Sequence, residues 1–313
     1  MKRSKVAPAL GFLALLAAFW FVGAGFGIQE KLGGHVGSAM LSFALLLAPY
    51  WAFGFGFGEW LHARVRGAGR TLAPLLLIVP YLIFALPRGE FRWDMCLGMA
   101  AVVLAVSLLA PYSHADWLVL AILGVSVDLH FFDRAWAVGG LTGTPKLLFV
   151  DAGLYAYLAI RPLGGIGFDF RLRRSDVAIG LREFAFYTPI ALGLGFALSF
   201  LHFHRTLGSP AAFGAGWLFT LFFVAMPEEL FFRGMMLNML ERRIGTGRAL
   251  AVTSAVFGLA HFNKRAAYFN WRYVILAAVA GVFYGRAWLA KRRLISSSIT
   301  HATVDTVWSI WLR

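Results

Sequence analysis

Met226-Pro-Glu-Glu-Leu-Phe-Phe-Arg-Gly-Met236 sets two adjacent carboxylates and an arginine inside a run that is otherwise almost wholly apolar. A charged side chain at membrane depth costs roughly 2.5–3.5 kcal/mol on insertion scales. Three charges within six residues therefore need a reason, and chemistry is the usual one. At helical spacing Glu229 and Arg233 share a face, with the acid N-terminal to the base as an ion pair prefers. Glu228 is turned about 100° away, so only one of the two acids pairs fully with Arg233. The stretch implies a division of labour: Glu229 held by Arg233, and Glu228 left to move protons. The plainer alternative is a structural Glu–Arg pair that ties two helices together.

Composition gives that run its setting. Hydrophobic residues make up 60% of the 313-residue chain and charged residues 14%, with a mean hydropathy of +0.72. These values exclude an ordinary soluble domain. Apolar runs near 20 residues recur along the chain, as in an all-α polytopic membrane bundle. We place them near 6–28, 36–58, 72–87, 95–111, 117–132, 147–161, 183–203, 213–240, 249–262, 272–290 and 294–311, which gives about 8–11 transmembrane helices. The pair 117–132 and 147–161 is short enough to be re-entrant. The net charge of +14 is not a nucleic-acid signal, because the basic residues fall in short loops where positive-inside topology puts them. With the N-terminus in the cytoplasm, five basic clusters lie inside: Met1–Lys5, Arg64/Arg66/Arg70, Arg161–Arg174, Arg242/Arg243/Arg248 and Lys291–Arg293. Lys264, Arg265 and Arg272 weaken the contrast. The single Cys96 permits no internal disulfide and no Cys-rich metal cluster. The first apolar run lacks a small-residue cleavage site and reads as a retained helix.

The Gly-rich, basic stretch Arg161–Asp176 marks the best internal boundary. It divides an N-terminal region (1–160) and a linker (161–182) from a C-terminal region (183–313). Ionisable residues before it sit mostly at run ends; after it they lie within runs. His35, His62, His114 and His130 fall at helix ends, where histidines are cheap. Asp128 and Asp133 mark a helix end, and His202-x-His204 reads as an exposed pair rather than a metal site.

Two further elements follow the first. Phe257-Gly-Leu-Ala-His261 ends an apolar run, with Gly258 and Ala260 allowing close helix approach. In the last run His301 and Asp305 are four apart and share a face, so the acid can orient the imidazole, or both can bind one metal. Intramembrane polar groups avoid lipid, so carboxylates and histidines on three helices are expected to meet inside the bundle. Such a meeting makes a hydrolytic site, a metal site or a proton relay.

Glu228-Glu229-x-x-x-Arg233, Phe257-x-x-x-His261 and His301-x-x-x-Asp305 together resemble the type II CAAX prenyl endopeptidases of the CPBP (Abi) family of intramembrane proteases. Gly281-x-x-x-Gly285-Arg-Ala before the last motif resembles it too. The resemblance covers about residues 180–313. It implies that Glu228 activates the attacking water, with Glu229 in support and Arg233 as its structural partner. It further implies that His261 holds or activates that water and that His301 and position 305 stabilise the oxyanion. The family commonly has Asn where this chain has Asp305. An ionised aspartate would repel an oxyanion, so Asp305 is expected to orient His301 or to be protonated itself. The family is often labelled metalloprotease; if zinc binds, His261, His301 and Glu229 are the expected ligands.

The resulting expectation is a membrane-embedded endopeptidase of a bacterial inner membrane. Its partners would be the bilayer and a membrane-associated, possibly CAAX-like, protein substrate. The rival is a non-catalytic immunity or assembly factor of the same fold.

Overall fold

The computed structural model describes residues 6–141, 143–203, 209–264 and 268–312. The basic cluster at residues 1–5, His204 with Arg205, and Arg265 lie outside them. Among the described residues the chain is helical and has no strand, and each apolar run centres on a helix. The principal helices are α1 (Val6–Gly25), α2 (Ile28–Phe53), α3 (Ala68–Ala85), α4 (Trp93–Leu109), α5 (Asp116–Asp128), α6 (Pro145–Leu154) and α7 (Arg174–Ala197). They continue with α8 (Pro210–Ile244), α9 (Thr246–Leu259), α10 (Trp271–Lys291) and α11 (Leu294–Trp311). Six of these, α1, α2, α3, α7, α8 and α10, are long and apolar enough to cross a membrane. The protein is a polytopic integral membrane protein.

Helix starts follow local chemistry. The Ser209 hydroxyl accepts from Ala212 N–H at 3.1 Å where α8 begins, and Asn270 accepts from Tyr273 N–H at 3.2 Å where α10 begins. At α7 Asp176 accepts from Arg173 N–H at 2.8 Å, which starts that helix at Arg174, inside the stretch read as linker. Pro227 lies within α8 and does not break it. A π-helical segment, Leu221–Ala225, precedes Pro227 and widens the turn around its missing N–H.

The chain forms two compact units, Met1–Leu163 and Gly164–Arg313. In the first, Leu46, Leu47, Tyr50, Phe84, Trp136 and Leu148 are buried, and Trp136 Nε1 donates to the Ser42 hydroxyl at 3.2 Å. Arg161 pairs with the buried Asp116, which also accepts from the Tyr157 hydroxyl. His62 sits against the Ala159 carbonyl at 2.8 Å, and His130 pairs with Asp133 at 3.1 Å.

In the second unit α7, α10 and α11 pack together and α9 lies along α10. Its core is Tyr187, Phe232, Phe257, Ala277, Ala280, Phe283 and Tyr284. Gly258 makes the α9–α10 approach possible: a Cβ there would meet Ala278 Cβ at 2.7 Å. The Gly-rich loop is pinned rather than loose. Trp288 Nε1 donates to Ile166 O at 3.1 Å, Asn238 Nδ2 to Gly164 O at 2.9 Å, and Leu294 N–H to Gly167 O at 3.0 Å.

Candidate active site

Glu228 and Glu229 occupy a four-residue α-helical stretch, Met226–Glu229, between two π-helical segments, Leu221–Ala225 and Leu230–Leu237. π turns are rare and concentrate at functional sites. Glu229 is fully buried, and both its oxygens are engaged. Oε1 accepts from Arg233 Nη1 at 3.0 Å and lies 2.8 Å from His301 Nδ1; Oε2 contacts the Ser297 hydroxyl. Arg233 is as buried as its partner and also donates through Nη2 to Gly281 O at 2.9 Å. A Cβ at position 281 would lie 3.1 Å from Ser254 Cα and 3.3 Å from that same Nη2. Arg233 is also seated over the rings of Phe257 and Tyr284, at 4.6 and 5.4 Å.

His301 is therefore fixed from several sides. Its ring stacks on Tyr284 at 4.5 Å and 14° and meets the Phe257 ring edge-on at 5.6 Å. A carboxylate only accepts, so Nδ1 is the protonated nitrogen facing Glu229. Nε2 then turns to two further acids: Asp305 Oδ2 at 3.4 Å and Glu228 Oε2 at 3.9 Å. The imidazole is thus held at Nδ1 by Glu229, and Asp305, the orienting acid that the sequence points to, faces Nε2. Asp305 stands at the outer edge, with its side chain 33% exposed.

His261 follows the end of α9. Its Nδ1 is 2.8 Å from Phe257 O, which makes Nδ1 the donor and leaves Nε2 as an acceptor. Glu228 and His301 are both near enough to act on it electrostatically. Tyr273 packs on its ring at 4.9 Å. His261, His301 and Asp305 line one cavity of about 730 Å³, mouth included, whose other walls are mostly apolar. The structure thus brings Glu228, Glu229, Arg233, His261, His301 and Asp305 to one place.

The zinc ligand set His261, His301 and Glu229 does not fit. Glu229 spends its oxygens on Arg233, His301 and Ser297, and His301 Nδ1 is spent on Glu229. Among the described residues no group of three or more His, Cys, Asp or Glu is arranged to hold a metal ion. Sequence reasoning passed over Ser297, although Ser296-Ser-Ser298 in an apolar run was a visible signal. Tyr284 carried no signal, because an aromatic in an apolar helix reads as core. His202 donates its backbone N–H at 3.1 Å to the carbonyl of Leu312, a residue of the cavity wall.

No curated protein and no solved structure matches the chain. A family model does match: type II CAAX prenyl endopeptidase Rce1-like, over residues 210–307. That segment runs from the start of α8 to near the end of α11 and contains all six residues of the site. Residues 210–307 of this integral membrane protein, which hold the three motifs, match the Rce1-like type II CAAX prenyl endopeptidase family.

Proposed function

We propose that the protein hydrolyses a peptide bond of a membrane-associated protein at this site, using water activated by Glu228. One observation carries the reading: the partly exposed Glu228 faces His301 Nε2, and His301 and His261 both line one cavity. Glu228 is 3.9 Å from His301 Nε2, and its side chain is 15% exposed. Glu229, with no exposure, is held by Arg233, His301 and Ser297, which leaves Glu228 the better placed base.

In the reaction Glu228 takes one proton from water while His261 Nε2 accepts a hydrogen bond from the remaining O–H and aims the oxygen. The oxygen bonds to the scissile carbonyl carbon, and the oxyanion that forms takes a hydrogen bond from His301 Nε2–H. Three carboxylates around His301 favour the imidazolium that this donor requires. Glu228 then passes its proton to the leaving amine as the C–N bond breaks. Asp305 holds the imidazolium from the outer side. The chain's own residues thus supply base, water holder and oxyanion donor.

The membrane is proposed to be a bacterial inner membrane, with the basic helix ends in the cytoplasm. The test compares peptide termini in membranes of cells making wild type or Glu228→Gln protein at matched levels. Glu228→Gln is expected to lower cleavage about 10²–10⁴-fold, the usual contribution of a positioned base, without changing membrane insertion. Identical termini from both proteins, with the variant restoring the deletion phenotype, would instead favour a non-catalytic immunity or assembly role.

A further inference from the structure

The second unit has two unlike ends. At one, Arg293 donates through Nε to Asp176 at 2.8 Å and through Nη1 to Asp169 at 2.9 Å. Arg292 Nη2 donates to Glu241 at 2.7 Å. These bonds gather the starts of α7 and α11 and the ends of α8 and α10 on one side. That side's loops hold nine Lys and Arg residues in the spans 171–174, 242–248 and 291–293. At the other end His202 N–H donates to Leu312 O at 3.1 Å. Phe200 stacks on Trp308 at 5.6 Å and meets Tyr273 at 5.4 Å. The sequence segments that join the helices there, and the C-terminus, hold five basic residues: Arg205, Lys264, Arg265, Arg272 and Arg313.

The cavity belongs to the less basic half. Its α10 lining runs from Tyr273 to Tyr284, and α10 reaches the basic end only at Lys291. Its α11 lining runs from His301 to Leu312, whereas α11 leaves the basic end at Leu294. Its α7 side starts at Phe184, ten residues into a helix that begins at Arg174. Ten residues of helix are about 15 Å. No lining residue comes from the basic ends. The path from His301 therefore leads to the Phe200–Tyr273–Trp308 end.

Short loops rich in Lys and Arg stay in the cytoplasm, and it is the Lys and Arg count that sets orientation. We propose that the cavity receives its substrate from the outer face of the membrane, so that the protein acts on apolar peptide segments presented outside the cytoplasm. The term substrate rests on the hydrolase reading; the direction in which the cavity faces does not. Apolar walls beside His301 and His261 suit a segment that partitions into the membrane surface before it reaches the site.

The direction is tested without any cleavage assay. In a Cys96→Ser background, Phe203→Cys and Tyr268→Cys report the cavity end, and Leu172→Cys and Arg243→Cys the basic end. All four positions are exposed and lie outside the site. Intact cells are treated with a membrane-impermeant maleimide, then compared with permeabilised cells. The expected result is labelling of positions 203 and 268 in intact cells, with 172 and 243 labelled at least about tenfold less until permeabilisation. The reverse pattern, or equal labelling at both ends, overturns the proposal. Should a cysteine variant fail to accumulate, protease-accessible tags inserted after Gly245 and after Lys264 give the same two readings. New termini lost in Glu228→Gln should fall in extracytoplasmic segments; termini in cytoplasmic segments would overturn the direction while leaving the hydrolase reading standing.

Discussion

Glu229 joins three side chains on two helices through one carboxylate: Arg233 on its own helix, and His301 and Ser297 on α11. Arg233 and Glu229 are both out of solvent, with side chains 1% and 0% exposed. Removing one member of such a pair strands the other as a buried charge, which costs about 3–5 kcal/mol. Arg233→Leu is accordingly expected to lower the thermal midpoint in detergent strongly, and Glu229→Gln in the same chain to recover part of that loss. If Arg233→Leu melts with wild type, the pair is not the anchor described here. Arg233→Lys should also fail to restore full stability, because a single ammonium cannot hold Glu229 and the Gly281 carbonyl with the same fork.

At the scale of helices the site depends on how closely α9 and α10 approach. A Cβ on Gly258 would fall 2.7 Å from Ala278 Cβ and 3.0 Å from Ala278 N, with the Val274 carbonyl nearer still. Backbone cannot yield as a flexible side chain can, so Gly258→Val must push the helices apart at a cost of about 1–3 kcal/mol. His261 lies three residues on, so it should shift with the end of α9. Cleavage is expected to fall about 10²-fold or more, as misplacement by an ångström can cost. Gly193→Val, where nothing lies within 4 Å, is the control expected to keep activity; equal loss in both variants would remove the packing explanation. The eleven apolar runs, the Glu229–Arg233 pair and the gathering of three motif helices were legible because each rests on hydropathy or helical period. What was not legible is tertiary. Nothing in the spacing of His301 and Asp305 says that Glu229, 72 residues earlier, takes the imidazole Nδ1. Nor does Pro227 reveal that a π segment ahead of it keeps the helix continuous.

For the molecule as a whole the outstanding chemical question is whether its water is activated by a carboxylate or by zinc, and the donor inventory decides what to expect. A catalytic zinc needs three protein ligands and an open position. Glu229 commits both lone pairs of Oε1 to Arg233 and His301 and one of Oε2 to Ser297, so a metal would find a single direction on a fully buried oxygen beside Ser297. His301 offers Nε2, but with Nδ1 on Glu229 and two more acids facing Nε2, the protonated ring that this surrounding favours has no lone pair to offer. His261 Nε2 and Glu228 remain, one ligand short. Cleavage by the purified protein is therefore expected to persist, within about twofold, after prolonged treatment with a strong chelator. Zinc per chain should be the same in wild type and in His301→Ala. Stoichiometric zinc in wild type that disappears in His301→Ala, together with chelator-sensitive cleavage restored by zinc, would show that Glu229 releases its partners to bind metal. In that case His301→Ala and Arg233→Leu should differ: the first would lose zinc, and the second, by freeing a Glu229 oxygen, would hold it more tightly.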